Sequence, residues 1–328
     1  MKKFNNTQLE LLTILADGAT HSGSDLGAKL GISRTAIWKH IQKLRQFNIP
    51  ISAIANQGYQ FATPIVWLDE TVINDHLKAS NFDKPLKLHL LQSIDSTNHF
   101  LKKLSPSTTI DVCCAEMQTA GRGRFGRSWY SPFAENIYLS LRWTFTDLIS
   151  KLSGLSLIVS LATVAVLTEL GVDEHLRIKW PNDILWHDKK ISGSLIEIHT
   201  ESNSSTDIII GIGLNVNSHV TTQNLINKPW SSLYQITGKI FNRNLIIGRL
   251  IVHLIQYIEL FFEHGFEKFQ KIWGKFDYLS NQTIEVSHAS GISIGIAKGV
   301  NTHGQLILES FNGERQYLSS GDTTIINY

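Results

Sequence analysis

Apolar residues in the first sixty positions fall at helical spacing in three short runs. Residues 7–16 put Leu9, Leu12 and Leu15 on one stripe, with Gly18 where that helix would stop. Ser24 is placed to cap a second helix that runs through Leu30 and ends at Gly31. Ser33 is placed to cap a third, from Arg34 to about Phe47, with Ile37, Ile41 and Leu44 on its buried face. The tight Leu30-Gly31-Ile32-Ser33 turn between them predicts a helix-turn-helix. The pattern then changes: Ile51-Ser52-Ala53-Ile54 and Tyr59-Gln60-Phe61, split by Asn56-Gln57-Gly58, predict a hairpin that would form a wing, and Pro64 marks a linker.

From about Trp67 the texture is mixed. The apolar segment Leu152 to Leu170 predicts a core helix, since Ser, Thr, Gly and Glu interrupt it. A second amphipathic helix spans about Asn244 to Gly265. Strands are predicted at 110–117, 136–143, 176–180, 191–198 and 207–215. The later ones follow one another without long helices between them, which favours antiparallel pairing over crossovers. After Phe276, short strands with turns at Gly299 to Gly304 and at Asn312-Gly313 predict a small all-β barrel. There are no internal repeats and no low-complexity tract.

At 328 residues, two or three domains are expected. No stretch reaches the roughly 18 uninterrupted apolar residues of a membrane span, and Met1-Lys2-Lys3-Phe4-Asn5-Asn6 leads into no apolar signal segment. Cys113 and Cys114 are adjacent in an apolar run, read as buried thiols of a reducing cytoplasm. Thirteen histidines lack metal-ligand spacing, so no protein-held metal is expected. The net charge of +2 is uneven. Residues 1–63 hold seven Lys/Arg against three Asp/Glu, leaving 23 against 25 in the remainder. A basic head on a slightly acidic body suits a polyanion-binding module.

The third helix turns Arg34, Thr35, Trp38, Lys39 and Gln42 away from its Ile/Leu stripe, with Ser33 at its start. Such groups suit phosphates and base edges in a major groove, and two copies would be needed to read a palindrome. A small helical head that packs on the body or on another protein is the alternative.

Gly121-Arg122-Gly123-Arg124-Phe125-Gly126-Arg127-Ser128-Trp129 is the most specific segment. Its glycines let backbone N–H groups approach a ligand, and its arginines offer charged forks for carboxylate or phosphate oxygens. Taken alone, it fits equally a loop ordered by a bound anion and a surface loop touching nucleic acid. Arg177-Ile178-Lys179-Trp180-Pro181-Asn182-Asp183 favours the first. It sets Lys179 at a strand end and leads into a hairpin, Ile184 to Trp186, a turn at 187–189, then Lys190 to Ile198, with Gly193 where a ligand could approach. Lys190 taken alone would be an ordinary solvated turn lysine.

Ser96-Thr97-Asn98, Gln118, the Gly/Arg loop, Lys179 to Asp183, Lys190 to Gly193 and Gly211-Ile212-Gly213-Leu214-Asn215-Val216-Asn217 occur together in order. In this the chain resembles the biotin–protein ligase family, in its bifunctional ligase/repressor form with an N-terminal winged helix, over essentially the whole length. The resemblance implies an α+β protein in three parts. These are a winged helix-turn-helix at 1–63, a mixed α/β ligase-type domain with a largely antiparallel sheet at 67–272, and a small SH3-like β-barrel at 275–328. It implies that Ser96, Thr97, Asn98 and Gln118 line a biotin pocket and that Arg122, Gly123 and Arg124 close over biotin and its adenylate. Lys190, beside Gly193, would sit against the biotin carboxylate and the α-phosphate. Gly121, Arg127, Trp129, Lys179, Asn182, Asp183 and Asn215 would serve the nucleotide. Expected partners are biotin, ATP with Mg²⁺, a biotin carboxyl carrier protein, operator DNA, and a second copy of the chain when adenylate is bound. Ser194 departs from the branched apolar residue more usual after that glycine. The polar stretch 218–230 would suit a nucleotide lid. A lipoate–protein ligase and a non-catalytic sensing repressor are the competing expectations; the Gly/Arg loop and the Trp-Pro-Asn-Asp block set the chain apart from the first, and the second would not need phosphate-handling cations.

Overall fold

The structure, a computed structural model, describes residues 4–47, 49–61, 65–105, 107–145, 152–200, 206–219 and 228–326. Pro64 and positions 220–227 of the polar stretch lie outside the described residues.

The head is α1 (Asn6–Leu15), α2 (Gly23–Leu30), α3 (Arg34–Arg45) and the hairpin β1 (Ile51–Ile54) with β2 (Gly58–Phe61). Leu11, Leu12, Leu15, Leu26, Ile37, Ile41 and Leu44 close its core. One expectation is corrected: Ser22, not Ser24, caps α2. Its side chain accepts from the Asp25 amide three positions on, whereas Ser24 already lies within the helix. Ser33 caps α3 in the same way, accepting from Ala36. Gly31 ends α2 with φ 65°, the left-handed cap that glycine tolerates best. The wing gains a partner that sequence did not reveal. His21 and Tyr59 exchange backbone hydrogen bonds of 2.9 Å, pinning the hairpin to the start of α2.

The body is built on a seven-stranded sheet of β3 (Leu86–Leu91), β4 (Ile110–Ala115), β5 (Ile137–Phe145), β6 (Leu176–Lys179), β7 (Asp183–Trp186), β8 (Lys189–Thr200) and β9 (Thr206–Leu214). Their order is β3-β4-β5-β9-β8-β7-β6. Only the β3–β4 pair is parallel, so the expected antiparallel character holds. The five expected strands all form, with no end moved by more than two residues. β3, together with α4 (Glu70–Ala79) and α5 (Thr97–Lys102), is additional.

One sheet face carries α6 (Leu155–Glu169) and α8 (Arg243–His264). Their apolar residues interleave with Leu139, Leu141, Ile208, Ile210 and Ile212 in a continuous core. α6 is buried nearly all round, which explains why apolar residues dominate every side of it, broken only by small hydroxyl side chains such as Ser160 and Thr163. α8 has the length and hydropathy of a membrane span, but Ile246, Ile247, Leu250, Ile251, Leu254, Ile255 and Ile258 are buried in this core. The other face stays open around α5 and carries the site. After α7 (Leu233–Thr237) and α9 (Gln270–Phe276) come β10 (Thr283–His288), β11 (Gly291–Val300), β12 (Leu306–Glu309), β13 (Arg315–Leu318) and β14 (Asp322–Ile325). These form a five-stranded antiparallel sheet whose inner residues join the body core.

Candidate active site

Strand register decides which side chains meet on the open face. β5, β9 and β8 align Ser140 with Gly211 and Gly211 with Leu195, and Gly213 with Gly193. The β7–β8 hairpin is closed by His187 and Asp188, both at positive φ (42° and 64°), a two-residue turn that matches strand twist. Lys189, expected in the turn, therefore pairs with Trp186 as the first residue of β8, and Lys190 follows it in the strand as expected. The register then slips: Leu185 faces Lys190 while Ile184 faces Ser192. That bulge sends Ile191 into the core and carries Lys190 to the face of Gly193, Leu195 and Glu197. No periodicity argument finds such a slip in advance.

The Gly/Arg loop folds over this face as a narrow irregular hairpin. Gly123 donates to the Arg127 carbonyl (2.7 Å), Trp129 to the Gly121 carbonyl (2.8 Å), and Phe125 stands at φ 56° with 63% of its surface exposed. Arg122 reaches both carboxylate oxygens of Glu197 (3.1 Å each). Arg124 donates to the Gly321 carbonyl (3.0 Å) and to Asn182 (3.3 Å), and Arg127 pairs with Asp322. Two of the three loop arginines thus lean on the C-terminal sheet, a contact across nearly 200 positions that local sequence cannot announce.

Loop and strands enclose a cavity of about 470 Å³. Of the expected residues, Ser96, Thr97, Asn98, Gln118, Arg122, Gly123, Arg124, Arg127, Trp129, Asn182, Asp183, Lys190, Gly193 and Asn215 line it. Gly121 and Lys179 do not. Gly121 packs so closely that a Cβ there would lie 2.5 Å from the Trp129 carbonyl oxygen. Lys179 sits behind the wall, where burial holds its amine below the ordinary value while Asp183 pulls the other way. Lys190 Nζ lies 2.5 Å from Asp183 Oδ1 and 5.2 Å from the centre of the Trp129 ring. Asn215 holds the Lys190 backbone from below by donating to the carbonyls of Lys190 (3.4 Å) and Ser231 (3.0 Å). Trp230 bridges alongside Lys190, which gives that tryptophan a place that sequence did not assign. Lys228 and Asp322 complete the charged rim.

The residues fit an anionic ligand with a ring system. Trp129 Nε1, Trp230 Nε1 and Ser194 Oγ are buried on the cavity wall without a hydrogen-bond partner among the described residues, and such groups normally have one. Four cations of the lining, Lys190, Arg124, Arg127 and Lys228, match a polyphosphate. At the other end Thr97 donates its amide to Gln118 (2.9 Å), and Ser140 contacts Thr97 (2.7 Å) and Asn98 (2.6 Å), a small neutral polar nest. Ser140 was missed by sequence reasoning. Its signal was present as a polar position alternating with the apolar ones of Ile137-Tyr138-Leu139-Ser140-Leu141.

A Cβ at Gly213 would lie 2.3 Å from the Trp129 ring, so the indole rests directly on bare backbone. Gly213→Ala should cost about 1–3 kcal/mol by overpacking. Denaturant unfolding measures this, and unchanged stability would mean that the ring does not rest there.

On the head, Arg34, Thr35, Trp38 and Lys39 are exposed along one side of α3, Trp38 to 52%, with Gln42 half-buried and the Ser33 hydroxyl engaged as the cap. Phe4 and Phe133 meet edge to face, and Met117 and Phe133 of the body belong to the head's core cluster.

A winged head on a body whose lysine and arginine loop share one ligand cavity defines a protein ligase of the biotin/lipoate class. Residues 90–215 match the biotin/lipoate A/B protein ligase family, and residues 7–60 match a helix-turn-helix domain. The chain is 36% identical to the bifunctional ligase/repressor BirA of Salmonella typhimurium over 308 residues, 94% of each chain. It is 31% identical to that of Bacillus subtilis over 303 residues, covering 91% of this chain and 92% of that one. The biotin protein ligase of Aquifex aeolicus, solved in complex with biotin and ATP, superposes with a TM-score of 0.63 at 26% identity, over 74% of this chain and 99% of that one. The chain belongs to this ligase family, among its bifunctional ligase/repressors.

Proposed function

We propose that this protein joins biotin to ATP as biotinyl-5′-AMP and passes the biotinyl group to a lysine of a biotin carboxyl carrier protein of the acetyl-CoA carboxylase type. In the cytoplasm, the adenylate-bound form would pair as a homodimer and repress biotin-synthesis genes through the head. The observation that carries this reading is the convergence of Lys190 and the 121–129 loop on one cavity. Units of 1–63, 67–272 and 275–328 are the proposed division of labour.

Ser96, Thr97, Asn98 and Gln118 bind the neutral bicyclic end of biotin. Arg122, Gly123 and Arg124 cover its carboxylate side, and Gly193 leaves room beside it, since a Cβ there would lie 2.9 Å from Lys190 Nζ. A carboxylate is a poor electrophile, and its attack on the α-phosphorus crowds negative charges together. Lys190, Arg124 and the loop amides stabilise that charge. Gly121, Arg127, Trp129, Lys179, Asn182, Asp183 and Asn215 hold the nucleotide or the wall around it. Mg²⁺ brought in with the nucleotide would supply charge neutralisation for the pyrophosphate leaving group. The loop then shields the anhydride from water until a deprotonated carrier lysine attacks its acyl carbon and AMP leaves. Ser33, Arg34, Thr35, Trp38, Lys39 and Gln42 meet operator DNA, Arg34 and Lys39 at phosphates.

Incubation with ATP, labelled biotin and a carrier domain should label the carrier, and lipoate should not replace biotin. Labelling by lipoate alone, or no labelling, would overturn the reading. Sedimentation with and without biotin plus ATP tests the regulatory half. Association that ignores ligand would refute the linkage between biotin supply and DNA binding.

A further inference from the structure

We propose that Glu197 is a positioning residue that sets the donor and acceptor polarity of the small-molecule pocket and ties the arginine loop to it. The proposal deepens the ligase reading and rests on it.

Glu197 lies on β8 at the pocket's edge, its side chain mostly buried and able only to accept hydrogen bonds when ionised. Two donors converge on it from different elements. Asn98 of α5 donates Nδ2 to Oε2 at 2.8 Å, and Arg122 of the loop donates Nη2 to both oxygens at 3.1 Å. A second acceptor, the Leu195 carbonyl, stands 3.4 Å from the same Asn98 nitrogen. The amide of Asn98 therefore has one stable orientation, nitrogen toward Glu197 and oxygen away.

That orientation propagates. Asn98 Oδ1 can only accept, so Ser140, 2.6 Å away, must spend its single hydroxyl proton there. Ser140 also lies 2.7 Å from Thr97 Oγ1, and the Thr97 hydroxyl in turn donates to Gln118 Oε1 at 3.2 Å. The Thr97 amide is already given to Gln118 Oε1 at 2.9 Å, leaving the Gln118 amide nitrogen to donate to Ser131 (3.1 Å). One carboxylate thus fixes the sense of the polar groups from Arg122 through Asn98 to Ser140, and the Thr97 backbone amide fixes that of Gln118. Gly211 makes the chain possible, because a Cβ there would lie 2.2 Å from Asn98 Oδ1. A ligand presenting a carbonyl beside N–H groups is recognised only when that sense is fixed before it arrives.

In Glu197→Gln, one acceptor and one donor face two donors, so either Asn98 or Arg122 loses its partner. The full-length variant should show KM for biotin raised about tenfold or more, with kcat at saturating biotin and KM for ATP within about twofold of wild type. An unchanged KM for biotin in Glu197→Gln overturns the proposal, as does a kcat at saturating biotin or a KM for ATP that moves with it by more than about twofold. If the wild-type chain takes up no biotin, the ligase reading itself fails. A wild type that takes up biotin beside an unaffected variant refutes the role of Glu197 alone.

Discussion

Lys190→Ala is expected to lower biotin-dependent exchange of pyrophosphate into ATP by about 10²–10³-fold, the usual cost of removing one preorganised charge-stabilising group. The fold should survive. Lys190 and Asp183 keep 28% and 30% of their side chains exposed, so their pairing adds little to stability once solvent screens it. What the variant loses is a cation held in place by the bulge in β8, by Asp183 at 2.5 Å and by the face of Trp129. Without ligand that amine is paired with Asp183. A carboxylate and a phosphate brought together offer it a stronger partner, so its stabilisation grows as the reaction proceeds, the condition for raising kcat. Exchange within tenfold of wild type, in a variant with an unchanged unfolding midpoint, would remove Lys190 from the chemistry. Lys190→Arg should recover little, because a planar fork has different reach and cannot replace a compact ammonium against Gly193.

The parts of this design legible in the sequence are those written locally. The Ile37/Ile41/Leu44 stripe, the Leu30-Gly31-Ile32-Ser33 turn and the alternating Gly/Arg run each follow from periods or residue types within a dozen positions. The cap of α2 was misplaced by two residues because Ser22 and Ser24 offer the same chemistry, and only the chain's path selects between them. β3 went unseen because Leu86-Lys87-Leu88-His89-Leu90-Leu91 has no following hairpin turn. Its partner β4 lies parallel and across α5, a pairing that no adjacent turn predicts. At the site, single-letter chemistry identified the cations but not their carboxylate partners. Glu197 and Asp322 meet Arg122 and Arg127 from 75 and 195 positions away, and such pairings exist only once the sheets are assembled. The bulge that turns Lys190 inward belongs to the same category, since one extra residue reverses the face that alternation would assign.

The largest expected loss of stability lies where head and body meet. Arg243, the first residue of α8, and Glu116, just beyond β4, form an ion pair at 2.7 Å with side chains only 2% and 3% exposed. Both also hold the strand-free segment leading from the head: Glu116 accepts from the Leu68 amide (2.7 Å), and Arg243 donates to the Val66 carbonyl (2.9 Å). Asn244 adds two bonds to the same segment, donating to the Trp67 carbonyl and accepting from the Asp69 amide, each at 2.9 Å. Arg243→Met leaves a buried carboxylate uncompensated, which costs about 3–5 kcal/mol, and Glu116→Gln strands the guanidinium at a similar cost. Because each single change already breaks the pair, the double variant should cost well below the sum of the two, giving a coupling of about 1–3 kcal/mol in a double-mutant cycle. Met117, between Glu116 and the pocket's Gln118, packs in the head's core. Three consecutive residues therefore face the connecting segment, the head and the ligand cavity, and loosening the first should reach the other two. Urea unfolding of the four chains supplies the cycle, and costs that simply add would show that the two charges do not act as a pair.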